Sequence, residues 1–302
     1  MKSAFEQTAS SYADEVYKLG PTAVPPMLYH YTDAAGLLGM LNSGSIWLTD
    51  HRFLNDKSEL EHTHGTLREL LASKEDQSPS TQAKKLYDAI RLYARTESSQ
   101  DIHIFSLTED PDDLSQWRGY AREGLGFTIG FCGLTLREIA DPDDAEFSIS
   151  KIEYDHAKQK SVLDQALTEF ERLVTKEVKS KPTKEEEIID DAASWFDWLV
   201  GVRAVANKHS SFRLEREWRL SSLVDKDDLD KDVKVRASGL RLVRYIEVAP
   251  RAQGESKLPI KRIGIGPGFV GSEVVDAVRA LCKQTDYEHV EIYPADTPYR
   301  RI

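Results

Sequence analysis

Hydrophobic and polar positions alternate along several short segments of the chain, and this two-residue period is typical of β-strands. The segment 27–32, "MLYHYT", is the first of them. The segment 124–132, "GLGFTIGFC", is almost entirely apolar, which favours a strand in the middle of a sheet. The remaining predicted strands are 45–50, 101–109, 147–155, 215–224, 242–250 and two in the tail after residue 259.

Between these strands, apolar residues recur at helical spacing. Asp33 is a candidate N-cap for a helix that ends at Gly44, and a shorter helix is predicted over 113–123. Two longer helical stretches lie near 57–100 and 156–209. This succession of elements predicts an α+β fold built on one sheet.

The two long helical stretches are best interpreted as insertions into one domain. The pattern within 156–209 breaks at Lys181-Pro182, as expected because proline lacks the N–H that a continuing helix needs. The chain contains no internal repeat and no low-complexity segment. We therefore predict a single domain over residues 1–302, with helical insertions near 57–100 and 156–209.

Composition limits the class of protein. The chain has 302 residues and a net charge of -11, and no apolar run approaches the ~20 residues of a membrane span. Cys132 and Cys282 lack metal-like spacing and are interpreted as free thiols of a cytoplasmic protein. The acidic balance argues against long-range attraction of nucleic acid, although it leaves room for a local basic site.

The first segment with candidate chemistry is the strand 27–32. Alternation would place His30 and Thr32 on one face and Tyr31 on the other. A ring nitrogen and a hydroxyl two residues apart could bind a polar ligand through paired hydrogen bonds. The same pattern also fits a half-buried edge strand without a ligand, and a lone strand histidine is more often structural than catalytic.

A second segment joins a strand that ends near Ser106 to a helix that carries Trp117 and Tyr120. Residues three apart lie on the same face of a helix, so the indole and the phenol could form a stacking surface. They could equally be core aromatics.

A third segment, "FRLEREWRL", contains Glu215 and Glu217. On a strand the two carboxylates would point the same way, and like-charge repulsion would raise the pKa of one or both. Alternatively, these acids pair with neighbouring arginines at a solvated strand edge.

A fourth segment, "RFLND", places Arg52 and Asn55 just before a helix, where the asparagine could also act as a simple cap. His62 and His64 are two residues apart but have no matching pair of Cys or His, so no metal site is predicted.

The order of these segments resembles that of the diphtheria-toxin and poly(ADP-ribose) polymerase-like ADP-ribosyltransferases, above all the small bacterial toxins that modify nucleic acid. The similarity lies in "LYHYT", "IFSLTE", "LSQWRGYA" and "FRLEREWRL". The chain also resembles an uncharacterised bacterial family, recognised by the motifs "YHYT", "LND..E", "S.W..YA", "F..E.EWR", a "GP" turn and a terminal "PYR".

The resemblance implies an ADP-ribosyltransferase-like core of mixed, largely antiparallel sheet that binds NAD as a substrate. His30 would hydrogen-bond the ribose next to the nicotinamide, and the backbone of Tyr31 would hold the nicotinamide amide. Tyr120 would stack on the nicotinamide ring. Phe105 or Trp117 would close the pocket.

Further residues take roles in the same implied site. Thr32 and Ser106 would complete the cofactor-binding surface. Glu217 would stabilise the positive charge that develops at the ribose C1′ as nicotinamide leaves, in an oxocarbenium-like state that needs a fixed carboxylate. Glu215, with Asn55 and Arg52, would lie on the acceptor side.

The resemblance thus implies an NAD-dependent mono-ADP-ribosyltransferase, acting as a bacterial toxin or anti-phage effector. Its acceptor would be nucleic acid, protein or water, and an antitoxin or chaperone is a further candidate partner, whereas no metal and no membrane is expected. Two alternatives stay open. One is a non-catalytic nucleotide-binding or sensing module, and the other is a nuclease-like protein that acts on nucleic acid.

Overall fold

The computed structural model describes the chain except for short stretches. The described residues are 2–17, 24–54, 59–77, 79–94, 100–140, 147–225, 233–238, 241–250 and 255–299. Within them the protein has an α+β fold with an open mixed sheet, as the sequence predicts. The α-helices of this part of the chain are α1 (Ala4–Tyr17), α2 (Ala34–Ser43), α3 (Glu59–Asp76), α4 (Thr81–Tyr93), α5 (Leu114–Tyr120), α6 (Gly133–Ile139), α7 (His156–Ser180), α8 (Glu185–Ala206) and α9 (Glu273–Gln284).

The strands lie close to the segments that alternate in the sequence. They are β1 (Met27–Thr32), β2 (Ile46–Asp50), β3 (Gln100–Thr108), β4 (Phe127–Cys132), β5 (Ser148–Lys151), β6 (Glu217–Asp225), β7 (Lys234–Ser238), β8 (Arg241–Val248), β9 (Ile260–Ile265) and β10 (Glu291–Pro294). The alternation analysis did not predict β7 or the short helix α6.

The sheet follows the order β10-β9-β4-β1-β3-β2-β8-β7, with β6 and then β5 attached to β3. β9 and β10 are parallel, and the other described pairs are antiparallel. β4 lies between β1 and β9, which confirms the central position that its apolar sequence predicts. Both of its faces are buried, so a polar face would be costly there.

β3 contacts three strands, and this arrangement opens the sheet. β6 pairs with all of β3, from Gln100 to Thr108, and so occupies one edge. The opposite edge pairs with β2 at His103 and Ile104, and with β1 only at Thr108. Between these pairings, residues 105–107 face a separation of β1 from β2, which we call the β1–β2 gap.

Two separate apolar clusters support the sheet and the helices. The first packs the strands against α2, α6 and α9. The second joins α1, α3, α4, α7 and α8, so the helices predicted as insertions bury their apolar faces mainly against each other. Phe170 and Phe196, which are fully buried, meet edge to face at its centre, 5.3 Å apart. That all of this forms one domain stays a prediction.

Proline and glycine mark helix boundaries at the positions predicted from the sequence. α7 ends at Ser180, a 3₁₀ turn covers Pro182–Lys184, and α8 begins at Glu185, which confirms the predicted break. Asp33 caps α2 through the backbone N–H of Gly36, and Gly44 ends the helix in the left-handed conformation with φ 60°. None of the described helices is long and apolar enough to cross a bilayer.

Candidate functional site

His30 lies on β1 at the β1–β2 gap, where residues 105–107 of β3 have no strand of the described chain paired on that side. Its Nδ1 is 2.8 Å from the carbonyl oxygen of Ser106, and its ring stacks on Phe105 at a centroid distance of 4.1 Å. Because a carbonyl can only accept, Nδ1 carries the proton and donates it. Burial lowers the pKa of His30 to about 4, the Ser106 carbonyl opposes this, and the charge of Arg236 adds to it. The ring is therefore neutral near pH 7, and Nε2 is left as an acceptor.

The side chain of the same serine reaches the opposite side of the site. Ser106 Oγ donates to Glu217 Oε1 at 2.7 Å, so Ser106 links His30 to Glu217. Arg219 donates Nε to Oε1 at 2.7 Å and Nη2 to Oε2 at 3.1 Å. Lys208 Nζ donates to Oε2 at 2.8 Å. Ser106, Lys208, Arg219 and the two glutamates, Glu215 and Glu217, form what we call the glutamate cluster.

The electrostatics of Glu217 differ from the sequence-based expectation. Burial by itself would raise the pKa of this carboxyl, but Arg219 and Lys208 outweigh burial and lower the pKa to about 2. The expectation that repulsion between the two glutamates raises the pKa is therefore wrong for Glu217, because a lysine and an arginine lie against it. Glu217 is only 4% exposed and is ionised throughout the physiological range.

Glu215 occupies the more accessible half of the cluster. It ends a 3₁₀ helix, Ser210–Glu215, and Arg216 then adopts a left-handed conformation (φ 44°, ψ 47°) before β6 begins. The two glutamates are therefore not neighbours on one strand face, yet Lys208 Nζ bridges them, at 2.6 Å from Glu215 Oε2. The Glu215 side chain is 17% exposed, against 5% for Glu217.

Tyr120 completes the cluster from α5. Its hydroxyl donates to Glu215 Oε1 at 3.2 Å, while its ring is 42% exposed. Partial burial and the charge of Glu215 raise its pKa, so the hydroxyl stays protonated. An exposed ring held at its tip by a carboxylate is a suitable surface for stacking a flat ligand.

Trp117 does not share this exposed face, although it lies three residues before Tyr120. It is fully buried, packs edge-on against Tyr31 at 4.8 Å, and donates Nε1 to Asp112 at 2.6 Å. The stacking surface predicted from the pair therefore consists of Tyr120 alone, and Trp117 is a core aromatic.

Tyr31 and Thr32 are also packing residues in this conformation. The Tyr31 hydroxyl donates to the carbonyl of Asp110 and accepts from the N–H of Asp113. Thr32 is buried against Gly36, where a Cβ would lie only 2.0 Å from its Oγ1. Their backbones still pair with β4 beside the gap.

Arg52 lies away from the glutamate cluster. It pairs with Asp50 through Nη2 at 2.6 Å and with Asp101 at 3.3 Å, near the start of β3, whereas Ser106 lies near its end. Asp101 and Ser106 are five positions apart along the strand, or about 16 Å. Asn55, the other predicted acceptor-side residue with Glu215, lies outside the described residues.

The sequence did not predict the role of Lys208, and it indicated Arg219 only as one of several arginines near the two glutamates. Lys208 is 3% exposed and Arg219 is fully buried, so both charges are held inside the protein by carboxylates. The signal for Arg219 was available, because an arginine inside the apolar strand "EWRLSSLV" needs a buried partner. Lys208 lies in the short link between α8 and the 3₁₀ helix Ser210–Glu215, and nothing in its local pattern indicates the contact.

Among the described residues, no group of three or more His, Cys, Asp or Glu could hold a metal ion. His62, for example, hydrogen-bonds Gln159 at 2.8 Å through Nε2. A surface groove of about 900 Å³ runs between α4 and α7, beside Ser80 and Lys176, and none of the residues that line it belongs to the glutamate cluster.

Comparison with known proteins gives one partial match. Residues 116–220 match the model of a protein family of unknown function, DUF2971. The match includes Tyr120, Lys208, Glu215, Glu217 and Arg219, but stops short of His30 and Ser106. No curated protein and no solved structure matches the chain. The similarity thus covers the glutamate side of the site and assigns no activity to it.

The pKa of His30 predicts a pH dependence of stability. Its folded pKa of about 4 lies below the usual 6.5, so the unfolded chain binds the proton more readily. The stabilisation from a neutral His30 is complete above about pH 6.5 and is lost as the pH falls toward 4. Replacing His30 by Gln removes this linkage. Between pH 7 and 5, the difference in unfolding free energy between wild type and variant should shrink by roughly 1–2 kcal/mol.

Urea unfolding of both proteins at the two pH values measures this change. A difference of the same size at both pH values would mean that His30 is not held neutral by the fold.

Proposed function

We propose that the protein is an NAD-dependent mono-ADP-ribosyltransferase whose core is related to the ADP-ribosyltransferase fold. One observation carries the proposal. His30, from the first of the sequence motifs, and Glu217, from the last, are both hydrogen-bonded to Ser106 at the β1–β2 gap. Tyr120 joins them through Glu215. A neutral histidine, an ionised acid and an exposed aromatic ring are thus connected through one series of hydrogen bonds that passes through Ser106, Lys208 and Glu215.

These groups fit the breaking of a glycosidic bond to a cationic ring. The C1′–N bond of the nicotinamide riboside breaks, its electron pair goes to the leaving nitrogen, and positive charge develops at C1′. His30 Nε2 can accept from a ribose hydroxyl, and Tyr120 can stack on the nicotinamide. The acceptor then forms a new bond to C1′ and releases its proton.

The two glutamates take different parts in this proposal. The charge of Glu217 is offset by Arg219 and Lys208, and its carboxylate already accepts four hydrogen bonds. Glu215 is more exposed, and its two described partners are Lys208 and Tyr120. Glu215 is therefore the carboxylate that reaches substrate, and Glu217 fixes the position of Lys208 between the two acids.

The decisive experiment uses NAD with a radiolabel in its adenylate phosphate. The full chain is incubated with it in the presence of cell-lysate protein, DNA, RNA or no acceptor, and nicotinamide release and label transfer are measured. Release of nicotinamide that is lost in the Glu215→Gln variant supports the proposal. Absence of both release and transfer with every acceptor argues against it.

Two other results would select the alternative functions. NAD binding without nicotinamide release would favour a non-catalytic nucleotide-binding module. Cleavage of nucleic acid that survives Glu215→Gln would favour a nuclease-like protein.

Tyr120 gives a separate prediction about binding. Replacing Tyr120 by Ala should weaken NAD binding by about tenfold, because stacking of a flat ring on an aromatic side chain is lost. Tyr120→Phe keeps the ring and should bind NAD almost as well as wild type. The ring is 42% exposed, so neither change should affect folding.

Calorimetric titration with NAD measures the effect, and Leu114→Ala, at a similarly exposed position on α5, is the matched control. Equal affinities for wild type and Tyr120→Ala would remove this ring from the site.

A further inference from the structure

Arg236 is a half-buried cation on β7. Among the described residues, no carboxylate lies within salt-bridge distance of its guanidinium, whereas Arg52, Arg219 and Arg244 all contact at least one. Its Nε is buried and has no hydrogen-bond partner. Because a cation held partly out of water is costly without a counter-charge, an unpaired arginine of this kind suits an external anion.

The strand register places Arg236 on the same face of the sheet as Ser106. Arg236 opposes Val243 on β8, and Tyr245, two residues on, opposes Thr49 on β2. Thr49 in turn opposes Ile104 on β3, and Ser106 lies two residues further. Directly opposed residues and residues two apart share a face. Arg236 and Ser106 therefore face the same side.

The guanidinium reaches the edge of the β1–β2 gap. Nη2 donates to Thr49 Oγ1 at 3.1 Å, so the side chain crosses β8 to contact β2. Its carbon atom Cζ lies over the rings of Trp47 and Tyr245, at 5.5 and 5.9 Å from their centroids. Contact with two rings fixes the plane of the guanidinium and orients its remaining donors.

His30 lies on the other border of the same gap, and the positive charge of Arg236 affects its pKa. Arg236 is close enough to contribute to the low pKa of His30, and Asp33 is the acidic group whose field reaches Arg236. Asp33 itself is committed to capping α2 and to a salt bridge with Arg122 at 3.0 Å. Asp33 thus does not form an ion pair with Arg236, whose guanidinium lies at Thr49 beside the gap.

We infer that Arg236 anchors a diphosphate-binding site, which takes the diphosphate of a dinucleotide bound across the β1–β2 gap. The guanidinium offers a planar set of N–H donors, which match phosphate oxygens, and the aromatic contacts hold it in place. The inference deepens the proposed function and rests on it for the choice of NAD among dinucleotides. In that arrangement His30 and Tyr120 bind the nicotinamide riboside half, and Arg236 binds the diphosphate next to it.

Calorimetric titration of the full chain with NAD, ADP-ribose, inorganic pyrophosphate and nicotinamide tests the site. Arg236→Gln should weaken binding of NAD, ADP-ribose and pyrophosphate by about tenfold or more, because a charge-assisted hydrogen bond is lost. Nicotinamide affinity should not change. Arg236→Lys should give an intermediate loss, since it keeps the charge but not the planar donors. Arg241→Gln, which removes an exposed charge from the same hairpin, should leave all four affinities within about twofold.

The outcomes separate this inference from the proposed function. Unchanged NAD and pyrophosphate binding in Arg236→Gln, with nicotinamide release intact, would overturn the diphosphate site and leave the transferase proposal standing. Pyrophosphate binding that depends on Arg236, without nicotinamide release by the wild type, would support the site and count against the transferase. Loss of affinity for a single-stranded oligonucleotide alone would overturn the inference, because Arg236 would then serve an acceptor.

Discussion

Glu215→Gln should lower the rate of nicotinamide release from NAD by about 100-fold or more, while the unfolding free energy stays nearly unchanged. The physical reason is that Gln keeps the size of the side chain but removes the negative charge that, in the proposed function, faces the developing cation at C1′. The side chain is 17% exposed, and Glu217 remains to pair with Lys208. The fold should therefore tolerate the change.

The measurement is the turnover rate at saturating NAD, together with urea unfolding of the same preparation. Glu109→Gln is the matched control, because Glu109 is also a partly buried acid beside β6, bound to Lys151 and to the Trp218 indole. It lies outside the proposed site, and we expect its rate to stay within a few-fold of wild type. An equal loss of rate in both variants would show that the effect is a general one, and full activity in Glu215→Gln would remove this acid from the mechanism.

Glu217→Gln should mainly affect stability rather than rate, and should lower the free energy of unfolding by about 3–5 kcal/mol. The change removes the carboxylate charge that lies against Arg219, which is fully buried, and leaves Lys208, which is 3% exposed, still paired with Glu215. The role that the resemblance implies for Glu217, stabilising positive charge at C1′, would by itself mean a loss of activity with little loss of fold. The structure leads us to expect unfolding instead, because this carboxylate lies between two buried cations.

A double-mutant cycle separates the ion pair from simple damage at the site. Glu217→Gln and Arg219→Gln should each destabilise the protein, and the double variant should lose less than the sum, with a coupling of about 2 kcal/mol. Urea unfolding of the four proteins at pH 7 gives the coupling. Additive losses would mean that the pair contributes no specific interaction.

The ionisation of Glu217 makes the stability of the fold depend on pH in the acidic range. Its folded pKa of about 2 lies below the usual 4.5, so the folded state holds the ionised form more strongly than the unfolded chain does. The resulting stabilisation is complete above about pH 4.5 and is lost as the pH falls toward 2. Glu217→Gln should lose this part of the acid dependence.

Local patterns predicted most of the elements but little of the site's geometry. The apolar run of β4 identified a central strand, and Lys181-Pro182 marked the boundary between α7 and α8 because both signals act within a few residues. Spacing alone could not separate Trp117 from Tyr120. Which face of α5 is buried depends on the contact of Trp117 with Tyr31 on β1, and a helical period does not contain that information.

The positions of Glu215 and Glu217 show why the rest of the site geometry could not be predicted from the sequence. A strand pattern over 215–224 was a reasonable prediction, but the left-handed backbone at Arg216 separates the 3₁₀ helix from β6. Lys208, which lies between α8 and the 3₁₀ helix, bridges Glu215 and Glu217 through its ammonium group. Such a contact depends on tertiary packing, which propensity and alternation do not encode.

β3 has a consequence for the newly made chain. Ser106 joins a residue 76 positions before it to one 111 positions after it, so the site needs β1, β3 and β6 to be present together. During translation, a nascent chain that has not yet emerged from the ribosome beyond β6 has no partner for the outer edge of β3. The contacts of Ser106 with both His30 and Glu217 should therefore form only after β6 has been synthesised.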